Sequence, residues 1–410
     1  MMKRLFAIPG YKLEVEVKGR KLTVIEKGPL KRIIKNAALK RLIERMGREK
    51  LAAVLEDKLV ISLYLPPIPS EAFKRVIKNQ IRKRLGLSYG PDAATLAVTE
   101  KCNCRCFHCS AFRRGKTELS TEEWKNVIDQ LLSMGTYNIT FTGGEPLLRE
   151  DLSELIRHVD KEKAITQVFT NGYLLNDEKV EELAKSGLYA VQVSIDSPNP
   201  KEHDKLRGVN GLFDKAVEGI RIAKEKGLLV GISSYVDHDG LRDGKVEKLI
   251  SLAEQLEVNE LTIFDLVPTG KLLNHNLFLT EKDREKLVQI YLEENEKDYG
   301  PRVSIMSFVN SPLGAGCFGG DFQIHITNSG ELTPCDFTPL TFGNVRKESL
   351  RQIWKGLGVI QNTAVGEKAA ACKIQPSGEN TSREFPPTRS FPTQSICLTK
   401  LKIKIKIFQQ

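Results

Sequence analysis

From Ala94 onward the hydrophobic positions fall into a repeated beat, a short apolar run followed by an amphipathic stretch of helical period. Strands are predicted at Thr95–Thr99, Asn138–Phe141, Ile165–Phe169, Ala190–Ile195, Leu229–Tyr235 and Leu261–Leu266; such runs are read as buried strands by their length and composition. Helices are predicted between them at about Thr121–Ser133, Asp151–His158, Asp177–Ser186, Phe213–Lys226 and Val246–Leu256, with a further one at Glu281–Glu296. The first carries a capping box, Ser120 with Glu123, and stops before Gly135. Strands joined through helices imply an α/β fold with a parallel sheet, here a partial (β/α)6 barrel of TIM type. Ligand sites in such sheets form at the carboxyl ends of the strands.

The chain before this core has a different pattern. Leu13, Val15 and Val17, then Leu22, Val24 and Ile25, alternate as a hairpin around Lys18-Gly19-Arg20. Two basic helices are predicted, Lys31–Arg48 and Glu71–Leu85, with a strand from Leu59 to Leu65 between them and a boundary at Gly90-Pro91-Asp92. After the core, Phe322–Thr327 and Glu331–Leu332 read as a hairpin around Asn328-Ser329-Gly330. Residues 375–395 are rich in Pro, Ser, Thr and Arg, and a Lys/Ile alternation ends the chain; no packed structure is predicted there. The expected division is 1–91, a basic α+β region for substrate or membrane recognition; 92–300, the core; 301–356, an extension; and 357–410, an irregular tail.

Composition narrows the functional classes. With 40% hydrophobic and 28% charged residues, the chain of 410 residues buries a core and is not disordered throughout. No apolar run approaches the ~18 residues of a membrane span, and the N-terminus lacks an apolar stretch of signal-peptide length, so a cytoplasmic protein is expected. The first 90 residues hold 22 basic and 8 acidic side chains, the other 320 hold 40 and 44, so the basic character belongs to the N-terminal region. That region suits an anionic membrane surface, approached through the amphipathic Glu71–Leu85 helix, or peptide recognition. Nucleic acid is the weakest reading, since no interleaved aromatics offer stacking.

Eight cysteines are too few for a disulfide scaffold, and four of them, Cys102, Cys104, Cys106 and Cys109, crowd into one loop after the first core strand. Cys102, Cys106 and Cys109 have the spacing C-x3-C-x2-C, which lets three thiolates hold three irons of a [4Fe–4S] cubane and leaves the fourth open. A structural zinc site, completed by Cys104 or His108, is the competing reading of the loop, and with it a zinc-containing nucleic-acid-binding protein. Cys104 is not needed by the spacing. The second strand runs into Gly143-Gly144-Glu145-Pro146, where two glycines allow close backbone approach and Glu145 stands beside a rim suited to an ammonium group.

These two motifs, in this order and context, resemble the radical S-adenosylmethionine (radical SAM) enzymes over about residues 93–270. The resemblance implies that Cys102, Cys106 and Cys109 ligate the [4Fe–4S] cluster, that S-adenosylmethionine chelates the open iron, and that His108 lies against the adenine. It also implies reductive cleavage to a 5′-deoxyadenosyl radical, which abstracts a hydrogen atom from substrate, with a ferredoxin or flavodoxin as one-electron reductant. Thr170, Asn171, Ser194 and Asp196 at later strand ends are expected cofactor contacts, although Asn-Gly and Asp-Ser-Pro are also ordinary turns. Arg207-Gly208 and Leu266–Gly270 match stretches of the same family. Cys317 and Cys335, in a C-x12-G-x4-C spacing, resemble the opening of the SPASM extension, which holds auxiliary clusters. The later cysteine run of that extension is missing, so at most one auxiliary cluster is expected, with Cys372 a weaker third ligand. The expected substrate is a peptide or a small metabolite, with a membrane lipid as the alternative.

Overall fold

The computed structural model describes residues 2–8, 11–29, 50–84, 87, 90–110, 117–267, 269–272, 277–310, 317–338 and 340–364. The helix expected over 31–48, Cys372 and the tail from 365 lie outside the described residues.

The chain opens with an antiparallel meander of β1 (Met2–Ile8), β2 (Tyr11–Lys18) and β3 (Lys21–Lys27). The β2–β3 turn pairs Lys18 with Lys21, leaving Gly19 and Arg20 as a two-residue loop with Gly19 at φ +58°. Strand β1 was not expected from the sequence; a register shift between Arg4 and Phe6 breaks the alternation that would have marked it. Then come β4 (Ala53–Val54), β5 (Leu59–Val60) and α1 (Glu71–Arg84). The strand expected through Leu65 ends at Val60. Beyond it, Ser62 and the Leu63 amide turn to the Glu260 carboxylate, and Tyr64 Oη to Thr262.

Phe73 and Val76 of α1 are buried among Val15, Val17, Leu22, Leu51, Leu59, Ile61, Ile68 and Tyr137. Two positions of the apolar face of α1 are therefore packed inside the protein, where each such side chain contributes about 1.5–3 kcal/mol, whereas Ile81 on the same face is exposed. Among the described residues, no helix is long and apolar enough to cross a membrane.

The core follows as β6 (Ala93–Thr99), α2 (Thr121–Met134), β7 (Asn138–Gly143), α3 (Leu152–His158), β8 (Ile165–Thr170), α4 (Asp177–Lys185), β9 (Ala190–Ser194), α5 (Pro200–Arg207), α6 (Leu212–Glu225), β10 (Leu229–Val236), α7 (His238–Arg242), α8 (Lys245–Gln255) and β11 (Glu260–Asp265). The remaining elements are α9 (Glu281–Glu296), β12 (Arg302–Ile305), α10 (Met306–Val309), β13 (Gln323–Ile326), β14 (Leu332–Thr333) and α11 (Leu350–Ala364). One sheet runs β12-β11-β10-β9-β8-β7-β6-β13-β14, parallel except for the last pair. The six expected strands are thus flanked by two more parallel strands, β12 and β13. The capping box at Ser120 forms as expected, and Gly135 closes α2 in the left-handed conformation.

Register aligns Leu96, Phe141, Val168 and Val191 across four strands, and all four join the core shared with the helices. The opposite face is polar at its amino end. Gln167 Nε2 donates to Asn138 Oδ1 (3.2 Å), and Gln192 Nε2 to Gln167 Oε1 (3.4 Å). Arg302 pairs with Glu260 beside them, both essentially without solvent exposure. Residues 62–64 seal this floor from below, with Tyr64 O accepting from Asn138 Nδ2 (3.1 Å). The carboxyl ends of the strands, at the far side of the sheet, carry the candidate site.

Candidate functional site

Cys102, Cys106 and Cys109 are partly exposed in the loop leaving β6, whereas Cys104 is buried. Three neighbouring elements fix the loop. The end of α5 accepts from it twice, Arg105 N to Arg207 O (2.9 Å) and Phe107 N to Leu206 O (3.3 Å). After β8, Asn171 Nδ2 donates to Asn103 Oδ1 (2.6 Å). After β11, Lys271 Nζ donates to Cys106 O (2.7 Å), and Gly270, at φ +55°, passes so close to the Cys109 carbonyl that a Cβ would overlap it. The Cys104 thiol donates to Cys102 and Cys106, which raises its own pKa and lowers that of Cys106.

The end of β7 passes directly beneath this loop. A Cβ on Gly144 would overlap the Lys101 carbonyl oxygen and lie 2.7 Å from that of Glu100; Gly143, at φ +142°, is crowded by Thr99. The two glycines are thus demanded by the chain leading into the cysteine loop, a reason the sequence alone does not show. Glu145 is fully buried, and its carboxylate accepts from Thr170 Oγ1 (2.6 Å), Asn171 N (2.8 Å) and Leu147 N (3.2 Å). Burial pushes it up to about 7 against the pull of these donors. The side chain therefore ties the ends of β7 and β8 together, and the half-buried backbone at Gly143 and Gly144 forms the rim. Thr170 and Asn171, expected as cofactor contacts, act here as donors to Glu145 and as anchors of the loop.

A second network lies behind the loop. Asp196 accepts from Arg207 through both oxygens, from Nε at 2.7 Å and Nη2 at 3.0 Å. Burial alone would raise Asp196, but Arg207 and His108 hold it down at about 2. Arg207 is itself buried, so the solvated arginine allowed by the sequence is not what forms. His108 lies with Nε2 3.7 Å from Asp196, and burial drops its pKa to about 4, leaving the ring neutral. Its ring stands 4.5 Å from that of Tyr235 and 5.1 Å from that of Phe107. Lys245 Nζ sits 3.7 Å over Tyr235. Ser194 Oγ is 3.3 Å from Ser233 Oγ. Tyr235 at the end of β10, Lys245 at the start of α8 and Asn103 in the cysteine loop were missed in the sequence, because neither motif spacing nor period marks such single residues.

Cys317 is exposed and Cys335 partly buried in the β13–β14 region. Gly319 runs beside Cys335, where an added Cβ would be 3.5 Å from the Cys335 Cβ, so the two cysteines are brought near each other. Burial pushes the Cys335 thiol up to about 11. His325 Nδ1 pairs with Asp336 (3.0 Å) and meets Thr95 Oγ1 (3.0 Å) on the same hairpin edge.

The donor set fits an iron–sulfur cluster with an adenine-bearing ligand at its side. Three thiols open to one end of the sheet, and the buried Nδ1 of His108 has no hydrogen-bond partner.

Comparison with known proteins places these features in a wider context. Residues 96–253 match the family model of the radical SAM superfamily, and residues 317–374 match that of an iron-sulfur cluster-binding domain. The AdoMet-dependent heme synthase of Oleidesulfovibrio alaskensis is 31% identical over 63% of this chain and 73% of its own. The PqqA peptide cyclase of Granulibacter bethesdensis is 28% identical over 66% of this chain and 76% of its own. Streptococcus suis SuiB bound to its precursor peptide SuiA shares the fold, with a TM-score of 0.57 at 19% identity over 81% of this chain and 79% of that one.

Proposed function

The chain belongs to the radical SAM superfamily, and from that membership we propose that it abstracts a hydrogen atom from a peptide substrate. It is a [4Fe–4S] enzyme that uses S-adenosylmethionine, which leaves no place for a zinc-containing nucleic-acid-binding protein. The observation that carries the site assignment is the meeting of the cysteine loop with the Gly143–Gly144 rim at the carboxyl end of the sheet. When bound, cluster and cofactor supply one-electron cleavage of the sulfonium and a 5′-deoxyadenosyl radical.

The residues then have distinct tasks. Cys102, Cys106 and Cys109 present three sulfur ligands and keep one iron for the cofactor. The backbone at Gly143 and Gly144 receives the ammonium group, while Glu145 holds that rim against β8 rather than reaching the ligand itself. His108 offers a neutral face and a free ring nitrogen to the adenine, backed by Tyr235. Asp196 and Arg207 neutralise each other and position His108 and the cysteine loop together. Cys317 and Cys335 contribute to one auxiliary cluster. A ferredoxin- or flavodoxin-type donor supplies the electron.

The peptide reading is supported by the peptide cyclase among the relatives and by the peptide-bound structural neighbour. It is tested with the anaerobically reconstituted chain, S-adenosylmethionine, dithionite and fractionated extracts of deuterium-grown cells. Deuterium in 5′-deoxyadenosine from the peptide fraction is the expected outcome. Transfer confined to the small-molecule or lipid fraction overturns the peptide assignment.

A further inference from the structure

Between the carboxyl ends of β6 and β7 and the β13–β14 hairpin lies a cavity of about 100 Å³. Glu100, Gly143 and Gly144 form one side, and His325, Asn328 and Asp336 the other. It therefore adjoins the rim assigned to the cofactor, where a hydrogen atom on a bound substrate would have to lie.

Two lining groups are buried without a partner among the described residues: the Nδ2 amide of Asn328 and the Oε2 of Glu100. Asn328 is 4% exposed. A buried donor and a buried acceptor left unmade are costly, and native proteins keep few of them. His325 and Asp336 are already spent on each other and on Thr95. The cavity thus offers the unspent NH2 group of Asn328 and one unspent carboxylate oxygen of Glu100. Among the described residues no lysine or arginine lines it, and with Glu100 and Asp336 both facing it, an anionic group such as a carboxylate would meet repulsion from these carboxylates. A cationic amine would satisfy Glu100 and leave the Asn328 N–H empty. A secondary amide satisfies both, since it carries one carbonyl acceptor and one N–H donor.

We propose that this cavity is a substrate subsite for a backbone amide, with Asn328 donating to its carbonyl and Glu100 accepting from its N–H. The assignment rests on the peptide reading and gives it a place in the fold. It is tested by saturation-transfer NMR on the reconstituted full chain with S-adenosylmethionine, using N-methylacetamide, acetamide, acetate and methylammonium as probes. N-methylacetamide is expected to bind best, and Asn328→Leu to weaken it about tenfold, the worth of one hydrogen bond. Glu100→Leu, on the opposite wall, is expected to act in the same direction, which protects the test if one variant folds poorly. Stronger binding of acetate, acetamide or methylammonium overturns the proposal, as does binding of N-methylacetamide indifferent to both substitutions. Formation of 5′-deoxyadenosine by the same wild-type preparation under dithionite is read separately. If it forms and the amide does not bind, the subsite alone fails; if the amide binds and none forms, the radical reading fails and the subsite stands.

Discussion

Cys104 shares its loop with three partly exposed thiols but is itself buried, donating to two of them rather than opening outward. Its role is to shape the loop, and removing its sulfur leaves the three-point anchor intact. Cys104→Ala is therefore expected to retain iron and 5′-deoxyadenosine formation within about twofold, because a neutral hydrogen bond is worth about 1 kcal/mol at most here. Cys106→Ala removes a ligand and should lose the cluster and all measurable cleavage. Iron and sulfide content with a product assay checks both, and a dead Cys104 variant with a live Cys106 variant would reverse the ligand choice. The spacing of these cysteines was legible because the loop is local in sequence. The work of Asp196 was not: its partner Arg207 is eleven positions on, across a turn and at the far end of α5, and nothing in the sequence says that both oxygens are taken. Glu145 repeats the lesson, since a carboxylate expected to face the cofactor turns to Thr170 and Asn171 instead.

At the scale of elements, strands β6 to β11 and helices α2, α3, α4, α6 and α8 were readable because each carries its own period, and the capping box marked α2 to the residue, whereas α5 and α7 were not foreseen. The misses have local causes. Strand β12, Arg302-Val-Ser-Ile, is too short for a periodic signal and is recruited by pairing with β11; β1 has its alternation broken by a bulge. The Gly143–Gly144 motif was seen, but half of its reason was hidden, because the crowding atoms belong to the loop some forty residues earlier. Two glycines separate the contributions. Gly211, at φ +73°, has open space around a would-be Cβ, so Gly211→Ala carries only backbone strain, about 1–2 kcal/mol. Gly144→Ala drives a methyl into backbone carbonyls that cannot yield without moving the cysteine loop. It should cost more than about 3 kcal/mol and lower iron incorporation, whereas Gly211→Ala should lower melting temperature alone. Thermal melts paired with iron content distinguish the two, and equal iron content in both would show that the rim and the loop are not mechanically joined.

Across the whole molecule, the two ends of the sheet are specialised. The carboxyl end carries the cysteine loop, the rim and the amide cavity, while the amino end is sealed by residues 62–64 over a buried ion pair. The positive surplus of the first 90 residues suggested a recognition device there; within the same region residues 62–64 close the floor, and Phe73 and Val76 of α1 pack the N-terminal core. Charge counts alone could not reveal this, because they record which residues are basic and not which backbone atoms lie beneath the barrel. Glu260 accepts from Arg302, Ser62, Ser304 and the Leu63 amide at once, so it joins β11, β12 and the N-terminal segment at one point. Arg302→Met leaves that carboxylate buried without its counter-charge and should cost about 3–5 kcal/mol. Adding Glu260→Gln removes the uncompensated charge while keeping an acceptor, and should recover more than half of the loss. Because this floor stands at the opposite end from the cysteines, 5′-deoxyadenosine formed per bound iron should match the wild type in both variants at temperatures where they are folded. Chemical denaturation gives the first quantity and an anaerobic product assay the second. A double variant no more stable than Arg302→Met would show that the floor is held by shape rather than by charge pairing, and a fall in product per iron would show that the two ends of the sheet are coupled.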